Sequence, residues 1–139
     1  MNLNFVADKN IGKVKIDIVQ FTRVVNNLLD NSIKYKKSEV GNVLIKIQNA
    51  GNFLQVSFAD DGRGVAKKEL PKIFDIFYRT DPARSSIIKG SGLGLAVVKE
   101  IILGMGGEIF AAETFGGGLT ILIKLPLEGD TVEKENSAD

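Results

Sequence analysis

The chain contains no cysteine, no histidine and no tryptophan among its 139 residues. The lack of cysteine excludes disulfides, thiolate metal sites and thiol nucleophiles. The lack of histidine excludes a Ser-His-Asp triad, an imidazole base and a histidine-ligated zinc site within this chain. No apolar run approaches the roughly 20 residues that a membrane-spanning helix needs. Met1–Asn4 does not have the basic and apolar pattern of a signal peptide.

Charges of the two signs almost cancel, with 18 Lys and Arg against 17 Asp and Glu. A net charge of +1 gives no basic field for nucleic acid, so we expect no nucleic-acid partner. The apolar fraction of 44% is enough for the core of one soluble domain. We expect a cytoplasmic domain without membrane contact of its own, which is compatible with membrane anchoring of a longer protein.

Hydrophobic periodicity predicts alternating strands and helices. Asp17 is placed to cap a helix that runs from Ile18 to about Lys37. Gly51 marks a hairpin turn between two strands. The predicted strands are Phe5–Ala7, Lys13–Ile16, Val43–Gln48, Phe53–Ala59, Glu108–Glu113 and Leu119–Leu125, and the further helical segments are Lys67–Phe77 and Gly92 to about Leu103.

This order of elements predicts an α+β fold, a two-layer α/β sandwich. A mixed, mostly antiparallel sheet of about five strands would be covered on one face by about three helices. The polar segment Arg79–Gly92 is predicted to be a mobile lid. Residues 1–126 would form the domain, and the charged residues 127–139 a disordered tail.

A polar stripe follows the first helix. At about 100° per residue, Asn27, Asn31, Lys34 and Tyr35 fall within about a third of its circumference. An amide oxygen can bind a hard cation such as Mg²⁺, and a lysine beside it can meet phosphate oxygens. Taken alone, the same stripe is also typical of a solvent-exposed helix face.

A second motif follows the strand that ends near Ala59. The carboxylate of Asp60 can accept a hydrogen bond from the exocyclic N–H of adenine, whereas it would repel the carbonyl oxygen of guanine. Gly62 and Gly64 let the backbone approach the ring, because no Cβ intervenes. Val65 follows directly. The alternative for this motif alone is an ordinary strand-end turn, where Asp-Gly is common.

A third motif leads into the second long helix and consists of Gly90, Ser91, Gly92, Leu93 and Gly94. Backbone N–H groups at a helix N-terminus favour anions such as phosphate. A Rossmann motif is excluded because no strand directly precedes it, and a Walker A motif because the Lys-[Ser/Thr] pair is missing. A flexible hinge is the alternative.

A fourth motif, Ile73–Arg79, carries three aromatic residues. We interpret the aromatics as a core plug that anchors one end of the lid. Arg79 then enters the lid, where it could reach a terminal phosphate.

Together, these motifs resemble the N, G1, F and G2 boxes of sensor histidine kinase catalytic domains, at Asn27–Tyr35, Asp60–Gly64, Phe74–Phe77 and Gly90–Gly94. The resemblance covers about Phe5 to Pro126. That family belongs to the ATPases shared with gyrase, Hsp90 and MutL, which have the Bergerat or GHKL fold. It implies an ATP-dependent protein-histidine kinase domain with ATP and Mg²⁺ as cofactors.

The resemblance also implies residue roles. Asn31 would be the Mg²⁺ ligand, Lys34 would contact phosphate and Tyr35 would line the nucleotide. Asp60 would accept from adenine in a pocket shaped by Gly62, Gly64 and Val65. The remaining positions follow the same pattern: Gly90, Ser91, Gly92, Leu93 and Gly94 as lid and nucleotide contacts, and Asn27, Lys34 and Arg79 as catalytic residues.

Gyrase-type relatives carry a glutamate base at the position of Asn27. An amide cannot accept that proton, which agrees with phosphate transfer to a nucleophile rather than hydrolysis. The family's phosphoacceptor histidine lies on a separate dimerising hairpin, which with a response regulator would be the partner. Two alternatives stay open: an anti-sigma-type serine kinase of the same superfamily, and a non-catalytic nucleotide-sensing module.

Overall fold

The computed structural model describes residues 1–76 and 94–128. The strands are β1 Asn2–Ala7, β2 Asn42–Ala50, β3 Phe53–Asp60, β4 Glu108–Glu113 and β5 Leu119–Pro126. The helices are α1 Ile18–Lys34, a 3₁₀ helix at Lys67–Lys72 and α2 Gly94–Gly104. None of the helices in these residues has both the length and the apolar character required to span a bilayer.

The five strands form one mixed sheet in the order β1-β2-β3-β5-β4. β1 runs parallel to β2, and every other neighbouring pair is antiparallel. Gly51 and Asn52 join β2 to β3, and the φ of +64° at Gly51 suits the tight turn between them. The predicted fold class and both predicted antiparallel pairs are therefore confirmed.

Helix α1 is built on an i, i+4 series of buried residues, Val24, Leu28 and Ser32. Asp17 caps its start, since Oδ1 accepts hydrogen bonds from the backbone N–H groups of Val19 at 3.0 Å and Gln20 at 3.2 Å. The helix was expected to reach about Lys37, but it ends at Lys34.

The end of α1 contacts the loop after β3. The backbone N–H of Arg63 donates to the carbonyl oxygen of Tyr35 at 3.0 Å. That carbonyl belongs to the C-cap residue, which has already left helical geometry with φ −107° and ψ 16°. The loop after β3 is thus hydrogen-bonded to the residue that follows the helix.

The core lies between the sheet and the two long helices. One face of β3 and β5 and the inner stripes of α1 and α2 contribute the buried apolar residues. These are Val24, Leu28, Val56, Phe58, Ile73, Val98, Ile102, Leu119, Ile121, Ile123 and Leu125. The helices therefore cover one face of the sheet, as the sequence predicted.

Two predicted segments differ in detail. The β-leaning stretch Lys13–Ile16 forms only an isolated antiparallel bridge between Val14 and Leu127, the residue that follows β5. The segment predicted as helical pieces begins with the 3₁₀ helix around Pro71, after which Ile73 is buried and Phe74 half-buried. The lid and the tail beyond Glu128 lie outside the described residues.

The start of β2 is tied to the end of β3 by Asp61. Its Oδ1 accepts from the backbone N–H of Asn42 at 2.9 Å, and its Oδ2 accepts from Nδ2 of Asn42 at 2.8 Å. Asn42 also pairs with Asn2 across the parallel strands. The side-chain hydrogen bond from Asn42, followed by its backbone hydrogen bond, lowers the pKa of Asp61.

A carboxyl whose folded pKa is depressed stabilises the protein above its unfolded pKa, and this contribution is lost as the pH falls through the folded pKa. Replacing Asp61 with Asn should therefore lower the melting temperature at pH 7. The difference from wild type should begin to shrink below about pH 4, where the Asp61 carboxyl of the unfolded chain takes up a proton, and should close as the pH falls through the lowered folded pKa.

Melting temperatures of the wild type and Asp61→Asn from pH 7 to pH 3 measure this effect. Asp30→Asn, at an exposed carboxylate on α1, is the control for charge removal. A difference between wild type and Asp61→Asn that stays constant over this pH range would contradict the assignment.

Candidate functional site

Asp60, the acidic residue of the site, is the last residue of β3 and lies on the same face of the strand as its buried residues. Leu54, Val56 and Phe58 are buried at every second position, and Asp60 is the next member of that series. Its neighbour Asp61 belongs to the opposite series and pairs with Asn42 instead. The alternation of the strand therefore directs Asp60 towards α1.

Three donors from three parts of the chain hold the Asp60 carboxylate. Oδ1 accepts from the backbone N–H of Gly62 at 2.9 Å and from that of Leu119 at 3.0 Å. Oδ2 accepts from the hydroxyl of Ser32 on α1 at 3.1 Å. The carboxylate is thus oriented by its own loop, by β5 and by α1 before any ligand binds.

Gly62 lies where the loop passes closest to α1. A Cβ at this position would be 2.7 Å from the carbonyl oxygen of Tyr35 and 3.2 Å from Oδ1 of Asp60. The first distance is too short for a side chain, and the second would require the Asp60 carboxylate to shift. The absence of a side chain therefore allows the loop after β3 to lie against the end of the N-box helix.

The turn between β4 and β5 closes the other side of Asp60. Gly116, Gly117 and Gly118 have φ of 88°, 114° and 116°, which is the region that favours glycine. A Cβ on Gly118 would collide with the carbonyl oxygen of Asp60. This conformation brings the N–H of Leu119 to the carboxylate.

The polar residues predicted to lie along the first helix are on α1 or at its end. Asn27, Asn31 and Lys34 lie along its second half, and Tyr35 caps its end; all four are half-buried. Ser32 places this half of the helix against Asp60, so the N and G1 motifs form one site. Their nucleotide and metal roles stay predictions.

A pocket of about 590 Å³ lies between the loop after Asp60 and the turn before β5, and Asp60 itself is not among its lining residues. On one side it is lined by Arg63, Gly64 and Val65, and on the other by the turn Glu113–Gly118. Gly64, with φ +72°, lies against Gly118, where an added Cβ would be 3.1 Å from the Gly118 carbonyl oxygen. Gly64 and Val65, two of the predicted cofactor contacts, therefore line an open pocket.

The third motif is only partly described. Gly94 is the first residue of α2 and is exposed. Outside the described residues lie the predicted contacts Arg79, Gly90, Ser91, Gly92 and Leu93.

Sequence reasoning missed Ser32 and Leu119 as contacts of Asp60. Ser32 gave a signal, because it is a hydroxyl that falls on the buried i, i+4 series of α1. Leu119 gave none, since its contribution is a backbone N–H that reaches Asp60 through the pairing of β3 with β5.

Comparison with known proteins decides the family. A family model described as "Histidine kinase-, DNA gyrase B-, and HSP90-like ATPase" matches residues 16–129. The chain belongs to this ATPase family. The resemblance seen in the sequence motifs is thereby confirmed, and ATP is the nucleotide expected at the site.

Similar curated proteins are bacterial sensor kinases. The sensor histidine kinase WalK of Bacillus subtilis is 41% identical over 115 residues, which cover 81% of this chain and 19% of that protein. The signal transduction histidine-protein kinase BaeS of Escherichia coli is 40% identical over 108 residues, which cover 78% of this chain and 23% of that protein. The chain thus corresponds to a minor part of these relatives.

Solved structures agree with the fold. The mycobacterial sensor histidine kinase MprB has a TM-score of 0.76 at 30% identity, covering 91% of this chain and 84% of that chain. Full-length ShkA, solved in complex with AMPPNP, has a TM-score of 0.75 at 26% identity, covering 91% of this chain and 25% of that one.

The close approach of Gly62 to the Tyr35 carbonyl predicts that a side chain at this position destabilises the protein. Gly62→Ala should lower the free energy of unfolding by about 1–3 kcal/mol, because the new methyl group must displace the Tyr35 carbonyl or the Asp60 carboxylate. Gly104→Ala is the matched control, since a Cβ there meets no atom within 4 Å. Urea unfolding of both variants measures the difference, and equal stabilities would contradict the close approach at Gly62.

Proposed function

We propose that this domain binds ATP in the site between α1 and the Asp60–Gly64 loop and delivers its terminal phosphate to a histidine on a separate dimerising hairpin. The observation that carries the proposal is the preoriented Asp60 carboxylate, held by Ser32, Gly62 and Leu119. Its place in a chain of this ATPase family supports a role in adenine recognition.

Asp60 would select the base. A carboxylate can only accept hydrogen bonds, so it favours the exocyclic amino group of adenine and disfavours the carbonyl oxygen of guanine. The bonds from Gly62 and Leu119 fix the carboxylate in the apo protein, so little rearrangement is needed on binding. Gly62 and Gly64 would leave room for the ring.

The phosphate end of the nucleotide would lie along the second half of α1. Within the described residues, no cluster of three or more acidic, histidine or cysteine side chains could hold a metal by itself. This fits Mg²⁺, which needs only one or two protein oxygens when phosphates complete its coordination. Bound through the side-chain oxygen of Asn31, the ion would neutralise charge on the phosphate tail.

Lys34, one turn beyond Asp30 and Asn31, would donate to phosphate oxygens as charge moves towards the leaving group. Arg79 would add a second cationic contact from the lid. Asn27 would orient a phosphate or the metal shell and would remove no proton. A histidine imidazole needs no base, since its nitrogen already carries a lone pair.

The acceptor must come from another polypeptide segment, because this chain has no histidine. The relatives are named sensor histidine kinases, which favours a dimerisation hairpin as the partner that accepts the phosphate and a response regulator downstream. In this proposal, the domain works in the cytoplasm within a two-component system.

Replacing Asp60 with Asn should weaken ADP binding at least about tenfold, because an amide N–H₂ cannot accept from the adenine amino group. The fold should persist, since the amide oxygen can still accept from Gly62 and Leu119. Calorimetric titration measures the affinity, with Asp61→Asn as the matched control at the neighbouring carboxylate. Unchanged ADP affinity in Asp60→Asn would remove this residue from the site.

Labelled ATP tests the transfer. This chain alone should hold no stable label, whereas an added histidine-bearing dimerisation hairpin from a sensor kinase relative should become labelled. The same hairpin with alanine at the acceptor histidine is the control. An acid-stable label on serine of a partner would favour the serine kinase alternative, and ATP binding without any transfer would favour a nucleotide-sensing module.

A further inference from the structure

Ser32 is the single buried polar side chain found within residues 1–76 and 94–128, at 7% exposure. It occupies a position of α1 that otherwise continues the apolar series of Val24 and Leu28. A buried hydroxyl is costly unless it makes a hydrogen bond. We therefore expect the buried Ser32 hydroxyl to have a specific hydrogen-bond partner.

A serine within a helix can satisfy itself by donating to the carbonyl four residues earlier. Thr22 on the same helix does this, with its Oγ1 donating to the carbonyl oxygen of Ile18 at 2.7 Å. Ser32 instead donates out of the helix to Oδ2 of Asp60 at 3.1 Å. The bond is thus a tertiary contact between the helix and the acid of the site.

The two oxygens of Asp60 are used differently. Oδ1 accepts two backbone hydrogen bonds, from Gly62 at 2.9 Å and Leu119 at 3.0 Å, which occupy its lone pairs. Oδ2 accepts from Ser32 and keeps a second acceptor position. An incoming N–H would therefore be received by Oδ2.

Rotation of a carboxylate about χ2 is only loosely restricted by its own torsional preference. Backbone donors hold Oδ1, while the Ser32 hydroxyl holds Oδ2 from the side of α1. Together these bonds define the plane of the carboxylate and the direction of the free acceptor position.

We propose that Ser32 is a positioning residue for base selection, which turns the free acceptor position of Asp60 Oδ2 towards the exocyclic amino group of adenine. The inference rests on the proposed function. Ser32 acts through Asp60 and need not touch the nucleotide. It would therefore affect the preference for adenine over a base that lacks the amino group.

The test compares ADP with IDP, which carries a carbonyl oxygen in place of the amino group. Ser32→Ala should weaken ADP binding about tenfold and change IDP binding less than about twofold. Ser32→Thr retains the hydroxyl and should restore most of the preference for ADP. Thr22→Ala removes a hydroxyl of α1 that does not contact Asp60 and should bind both nucleotides like the wild type.

Combination with Asp60→Asn shows whether the two residues act together. If Ser32 works through the carboxylate, Ser32→Ala should add little to the loss of ADP affinity in Asp60→Asn. Melting temperatures of all variants check that they are folded at the titration temperature.

Two results would overturn the role of Ser32 alone: an equal loss of ADP and IDP affinity in Ser32→Ala, or an ADP preference that survives Ser32→Ala but is lost in Asp60→Asn. A wild-type chain that binds neither nucleotide, or does not prefer ADP, would instead refute the proposed function. Failure of the inference and failure of the function are therefore distinguishable.

Discussion

The carboxylate of Asp60 joins three parts of the chain that are distant in sequence. Ser32 reaches it from α1, the N–H of Gly62 from the following loop, and the N–H of Leu119 from β5. Charge-assisted hydrogen bonds of this kind are stronger than neutral ones and have narrow geometry. The site is therefore shaped by the same bonds that fasten the helix to the sheet.

The sheet pairing, the glycine turn and the core hold the residues that contact Asp60 in place. Antiparallel pairing of β3 with β5 places Leu119 beside the end of β3, and the glycine turn before β5 keeps side chains away from Asp60. The core beneath α1 and α2 holds the helices at the sheet. Because two of the three donors, Ser32 and Leu119, belong to regular elements, the carboxylate keeps its orientation without a ligand.

Sequence reasoning succeeded where the signal was local. The Asp17 cap and both hairpins depend on residues close together in the chain. The helix of the first motif and the acid of the second are joined by Ser32 and Asp60, each of which continues the buried series of its own element.

Sequence reasoning fell short where distant segments decide the outcome. Helix α1 ends at Lys34, and its C-cap residue Tyr35 accepts a hydrogen bond from the N–H of Arg63, a contact that helix periodicity cannot reveal. Lys13–Ile16 has strand composition but meets only Leu127. The role of the Leu119 N–H follows from the pairing of β3 with β5, which brings together Leu119 and Asp60, 59 positions apart, and a backbone donor does not depend on residue type.

A crystal structure of the chain with ADP and Mg²⁺ tests the central claim most directly. The decisive measurement is the distance from the adenine amino nitrogen to Oδ2 of Asp60. We expect a hydrogen bond of about 2.9 Å, with Oδ1 still bonded to Gly62 and Leu119. Adenine bound elsewhere, or an Asp60 released from these backbone donors, would contradict the account.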